Sequence, residues 1–162
     1  MSFLIDGYNL MHAVGSAPPP AGTRTQFDTA RKRFLDWLAD SPALRGVAVR
    51  VVFDAPNSRR DLGSTTHRGL VVTYSFRQSA DDLIEALVRI EPHPAAVRVV
   101  SDDNRVLDAA RRRGCRAWGC AAFVDWLLTS PAGAAEPVVE EKPQGMSADE
   151  LDELRKVFEK RK

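Results

Sequence analysis

Asp6, Asp54, Asp81 and Asp102 fall at positions where a carboxylate has chemical use. Three of them end apolar runs: Asp6 follows Phe3-Leu4-Ile5, Asp54 follows Val51-Val52-Phe53, and Asp102 follows Val99-Val100-Ser101. The fourth, Asp81, stands in Ser79-Ala80-Asp81-Asp82, where a helical pattern opens. In an α/β sheet the carboxyl ends of parallel strands share one edge, and ligands bind along it. Acids distant in sequence are thereby predicted to meet in one cleft. Carboxylates held that close cannot all stay ionised without a cation, and hard oxygen donors favour Mg2+ or Mn2+. The chemistry this suggests is metal-dependent hydrolysis of a phosphate ester. Any one of these aspartates also reads as a helix N-cap; the argument rests on their convergence.

The neighbouring residues suit the same cleft. Gly7 leaves room for the backbone to approach a ligand. Asn9 either contacts a phosphate or metal-bound water, or holds the turn. Ser101 has a hydroxyl able to orient a carboxylate or meet a phosphate. Adjacent residues at a helix start point about 100° apart, so one acid of each doublet faces the cleft. Asp81 and Asp102 are favoured, with Asp82 as cap partner to Ser79 and Asp103 in support; the doublets leave the ligand choice open.

The formal net charge is only +1, so a polyanion would have to be held by a local basic patch. Arg59, Arg60 and His67-Arg68 follow Asp54 in a long polar loop, 55–68, expected to rim the cleft; Arg77 precedes the third acidic motif similarly. Arg111-Arg112-Arg113 read as solvated residues suited to a helix C-terminus. Tyr8 and Phe76 either stack on bases or pack in the core, and His12 reads as a surface or packing residue.

These residues need a frame, and the chain is long enough for one. Its 162 residues, 44% apolar and 28% charged, suit one main globular domain. Cys115 and Cys120 are spaced C-x4-C without the two further ligands a zinc site needs, so reduced thiols are expected. No run approaches the ~20 apolar residues of a membrane span or resembles a signal peptide, which points to the cytoplasm.

Strands are predicted at 3–5, 47–53, 71–74, 97–100 and 116–118, with Asp6 to Asn9 as the loop leaving the first. Helices are predicted from a Thr25-x-x-Asp28 capping box to Leu38, from Ser79 to Val88, from Asp102 to Arg113 with Gly114 as terminator, and over 121–128. The alternation implies an α/β fold, three layers with a mostly parallel central sheet. The domain is expected over 1–130. A Pro/Gly/Ala/Glu-rich linker follows at 131–146, then an amphipathic C-terminal helix at 147–162 bearing Leu151, Leu154, Val157 and Phe158.

Four segments resemble the NYN branch of the PIN-like nucleases, the bacterial YacP-like group in particular: Ile5-Asp6-Gly7-Tyr8-Asn9, Val51-Val52-Phe53-Asp54-Ala55, Ser79-Ala80-Asp81-Asp82-Leu83-Ile84-Glu85 and Val99-Val100-Ser101-Asp102. The resemblance covers about residues 3–128. It implies a Rossmann-like, PIN-like fold whose acidic cleft holds Mg2+ or Mn2+ and cleaves RNA phosphodiesters. It carries metal binding onto Asp6, Asp81 and Asp102, makes Asp54 a supporting acid, and matches Asn9 to the polar residue after the first acid. It further implies an endoribonuclease of RNA turnover, acting on RNA and above all messenger RNA, in some members at the ribosome. A non-catalytic RNA-binding module of the same fold is the second reading. An aspartate-nucleophile phosphatase would want D-x-D where this chain has Asp6-Gly7-Tyr8, and a receiver domain a late lysine, whereas Lys32 is the one lysine in 1–130.

Overall fold

The computed structural model describes residues 1–55 and 61–130. The expected linker at 131–146 and helix at 147–162 lie outside the described residues, as do Arg59 and Arg60. Chain order is β1 (Ser2–Asp6), α1 (Gly7–Ala13), α2 (Arg24–Ala39), β2 (Ala48–Phe53), β3 (Ser64–His67), β4 (Leu70–Tyr74), α3 (Ala80–Ile90), β5 (Val97–Val100), α4 (Asn104–Arg113), β6 (Arg116–Trp118) and α5 (Cys120–Thr129). Short 3-10 turns occupy Pro42–Leu44 and Pro94–Ala96. Among the described residues no helix is long and apolar enough to cross a membrane.

The six strands form one sheet in the order β3-β4-β2-β1-β5-β6. All neighbouring pairs are parallel except β3 with β4. The predicted α/β class and mostly parallel sheet are therefore present. Both faces are covered, which is why the central strands read as continuous apolar runs. Leu10 and Met11 of α1, Phe34 and Leu38 of α2 and Phe123 of α5 pack on one face with Phe3, Ile5, Val51 and Phe53. On the other face Ile84 and Val88 of α3 and Val106 and Ala110 of α4 meet Leu4, Val52 and Val99. The order reverses at β1, which lies between β2 and β5, and α/β sheets bind ligands at such a switch point.

Three expectations about local structure are corrected. Asp6 to Asn9 is not a loop: α1 begins at Gly7, directly behind Asp6. The first long helix is capped by Thr23, whose hydroxyl accepts the Gln26 N–H while the Gln26 side chain takes the Thr23 N–H, so the Thr25-x-x-Asp28 reading was two residues late. The stretch 55–68 is not all loop, since Ser64–His67 forms the antiparallel edge strand β3. Its two-residue turn uses Arg68 and Gly69 at φ 47° and 89°, as a tight hairpin requires. That turn signal is weak because Arg, not Asn or Asp, precedes the glycine.

Candidate active site

The carboxyl ends of β1, β2 and β5 and the start of α3 bring Asp6, Asp54, Asp81 and the 101–103 segment to one edge. Asp6 ends β1 at 3% exposure, the most buried acid of the set. Burial and, next, the charge of Asp81 push its pKa up to about 6, with Asp103 adding to the rise. The Ser101 hydroxyl donates to Asp6 Oδ2 at 3.2 Å, and the Asn9 N–H also favours the charged form. Neither outweighs the burial.

Asp81 lies on the first turn of α3, which Ser79 and Asp82 close as a reciprocal capping box. Asp82 is thus the cap partner expected, and it also takes Arg105 Nη2 at 2.6 Å. Asp81 is freed for the cleft. Its pKa is raised by burial, then by a hydrogen bond with Asp103 and by that residue's charge; Asp54 raises it further and Arg105 opposes. Two carboxyl groups in hydrogen-bond contact must share a proton or a cation between them.

Asp102 and Asp103 take different places. Asp103 caps α4, its Oδ1 accepting the Arg105 N–H at 2.8 Å, and it is the acid that raises both Asp6 and Asp81. Asp102 points its Oδ1 at the Cys120 N–H, 2.9 Å away at the start of α5. It lines an apolar groove of about 730 Å³ with Ala13, Phe34, Trp37 and Val124. Each acid of this doublet thus has one oxygen held by a backbone N–H, and it is the charge of Asp103 that acts on Asp6 and Asp81. Asn9 fixes this arrangement: its Oδ1 accepts the Asp102 N–H at 2.9 Å, joining the first and fourth motifs.

A serine serves each of two carboxylates in the same way. Ser101, after β5, donates to Asp6 and accepts the Asp103 N–H at 3.0 Å. Ser75, after β4, donates to Asp54 Oδ1 at 3.1 Å and accepts the Ala55 N–H at 2.9 Å. Sequence reasoning found the first and missed Ser75, though both directly follow a strand's apolar run.

Of the basic residues, Arg77 lies at this edge, between β4 and α3, with φ 55° and its guanidinium 5.0 Å from the Phe76 ring centre. Arg68 does not. The β3–β4 turn is at the opposite, amino edge, where Arg68 pairs with Asp40 at 2.5 Å and with Asp36. His67 Nε2 meets Asp36 Oδ1 at 2.8 Å there as well. Arg31 was not anticipated: from α2 it lies 5.3 Å from the Tyr74 ring centre and 5.7 Å from that of Phe53, and it hydrogen-bonds Tyr8. Tyr8 itself packs edge-on against Phe53 at 5.2 Å, so its first role is in the core. Gly7 has a packing reason too: a Cβ there would sit 2.5 Å from the Phe53 ring.

Both cysteines are free and buried, as expected. Burial, and then the charge of Asp102, push the Cys120 thiol up to about 12, so it stays protonated and inert. Among the described residues no three His, Cys, Asp or Glu side chains stand close enough, as placed, to hold a metal ion. The donor chemistry nonetheless fits a hard divalent cation. The donors are all carboxylate oxygens, and burial first, with their mutual interaction next, has raised the pKa of both Asp6 and Asp81.

Comparison with known proteins agrees with this architecture. Two crystal structures of Rae1 (YacP) from Bacillus subtilis, one of a point mutant, superpose with TM-scores of 0.59 and 0.58 at 24% identity. They cover 80% of this chain and 76% and 74% of theirs, a likeness that speaks for the fold. No curated protein matches the chain. The YacP-like NYN domain model matches residues 3–160, which carries the resemblance past residue 128 and through the C-terminal segment. The chain belongs to the YacP-like NYN domain family, a family of ribonucleases.

Proposed function

We propose that this protein is a divalent-metal-dependent endoribonuclease, with RNA turnover as its setting. The observation that carries the proposal is the gathering of Asp6, Asp81 and Asp103 at the switch point of the sheet, where burial first, and the charges of Asp81 and Asp103 next, lift Asp6 to about 6. Those three carboxylates would hold Mg2+ or Mn2+, with Asp54 beside them; Asp103 takes the place that the motif resemblance gave to Asp102. A bound divalent ion supplies a water of lowered pKa and offsets charge on the scissile phosphate.

The chain's own residues do the positioning. Ser101 and Ser75 each fix one carboxylate oxygen of Asp6 and Asp54, leaving the others for the cleft. Asn9 ties the Asp102-Asp103 turn to α1, so the acids of β1 and β5 keep one spacing. Arg77 is proposed to hold a substrate phosphate at the rim, and Arg59 and Arg60 are proposed for the same task because they follow Asp54 in sequence.

The test is incubation of end-labelled RNA with Mn2+ or Mg2+. Wild type should cut only with the ion, and Asp6→Asn and Asp81→Asn should each lose at least about a hundredfold. Cutting at full rate in both variants would remove the site. Metal-independent RNA binding without cutting by wild type would leave the non-catalytic binding module.

A further inference from the structure

Among the described residues, the helical layer that carries α1, α2 and α5 is incomplete. Helix α2 has 16 residues, about 24 Å, whereas α1 has seven, about 10 Å. Beyond the end of α1 the layer is open, and this opening is the apolar groove of about 730 Å³ between α2 and α5. Trp37 lines it from α2 and Leu128 from α5, at 37% and 73% exposure, together with Val14 and Val124. The Trp37 ring is held against buried Phe34, with ring centres 6.0 Å apart. Apolar surface gathered in this way marks a docking site.

The chain itself continues from the groove wall. Helix α5 follows β6 at the carboxyl edge and packs on the Pro42–Leu44 turn, which precedes β2 at the amino edge. The chain therefore leaves α5 at the amino end of the groove, next to Leu128. Extended, residues 131–146 reach about 50 Å, roughly twice the length of α2, so 147–162 can turn back along the groove. The sequence of that segment suits the surface. Leu151, Leu154, Val157 and Phe158 recur at helical spacing and give one apolar stripe. Charge is divided along the same segment: 147–154 holds four acids and no base, and 155–162 five bases and one acid. The described lining sets Asp102 and Asp125 against Arg33, with Asp102 at the carboxyl end. A helix rising antiparallel to α5 brings its basic half to Asp102. The family model matches residues 3–160, which counts the segment within the domain.

We propose that residues 147–162 dock as a helix in the groove of their own chain, between α2 and α5 and antiparallel to α5. Leu151, Leu154, Val157 and Phe158 cover Trp37, Val124 and Leu128. The docked helix completes the layer that short α1 leaves open. The proposal does not depend on the nuclease reading.

A helix of these 16 residues is marginal alone in water, so amide protection over 147–162 requires packing. The test is hydrogen–deuterium exchange by mass spectrometry on the full chain, at low and high protein concentration. Wild type should slow exchange over 147–162 at least about tenfold relative to a free peptide of that sequence. Leu154→Asp in the segment and Leu128→Asp in the groove wall should each abolish the protection. Unchanged exchange in β1 and β5 shows that each variant is folded. Lys156→Ala, on the side away from the apolar stripe, should keep the protection. Wild-type exchange as fast as the free peptide would overturn the proposal, as would protection that survives both aspartate variants. Protection lost on dilution would give the groove to a second copy of the chain, and equal loss in Lys156→Ala would deny the stripe its role; either result also overturns it.

Discussion

Asp6 is a carboxylate that folding places against its own charge. Its pKa is about 6 in the folded chain against 3.8 for the free side chain, so between those values the native state binds more protons than the unfolded one. Stability therefore falls as pH rises from about 4 to about 6, and the loss is complete at neutral pH. Asp6→Asn removes it. The variant should match wild type in urea unfolding at pH 4 and exceed it by about 2 kcal/mol at pH 7 in metal-free buffer, while losing activity. A variant less stable than wild type at pH 7 would contradict this. The aspartate doublet gives a second prediction. Asn is as good an N-cap as Asp, so Asp103→Asn keeps α4 intact. It should cost on the order of a hundredfold in RNA cleavage, and Asp102→Asn about tenfold or less. The reverse order, measured on one substrate, would return the ligand role to Asp102. Sequence shows that acids follow the strands, because apolar runs and their ends are local. It does not show how two adjacent acids divide their contacts. That depends on Asn9, 93 residues away, and on the Cys120 N–H, both of which hold Asp102.

At the scale of elements, what was legible followed from period and caps. The apolar runs marked the parallel strands, and Ser79-x-x-Asp82 and Gly114 marked the limits of α3 and α4. Helix α1 was not legible: seven residues with glycine first carry no periodic signal, and Gly7 reads locally as a loop residue. Its necessity is a matter of contact with Phe53, fully buried at the end of β2. Gly7→Ala should therefore destabilise the fold by about 1–3 kcal/mol in urea unfolding, through displacement of that ring. An unchanged midpoint would mean that Phe53 gives way freely. Strand β3 escaped notice because its Ser-Thr-Thr-His sequence has no apolar face; β4 supplies its pairing. The cap of α2 gives a smaller effect: Thr23→Ala should lower stability by about 1 kcal/mol, and no loss in thermal unfolding would assign the helix start elsewhere.

Among the described residues, the sheet gathers charge unevenly at its two edges. Acids gather where β1, β2 and β5 end, and arginines where β5 and β6 begin. The net charge of +1 is a sum over the chain and does not show how charge is distributed along an edge. The YacP-like NYN family match supports the nuclease reading of the acidic end. On the proposed function, Asp6 and Asp81, with Asp103, share one divalent cation. Isothermal calorimetry with Mn2+ tests it most directly, without RNA and at pH 7. Wild type should take up Mn2+ at a site that Asp6→Asn and Asp81→Asn each weaken by about 10–100-fold. No uptake by wild type, or equal uptake by all three proteins, would contradict it.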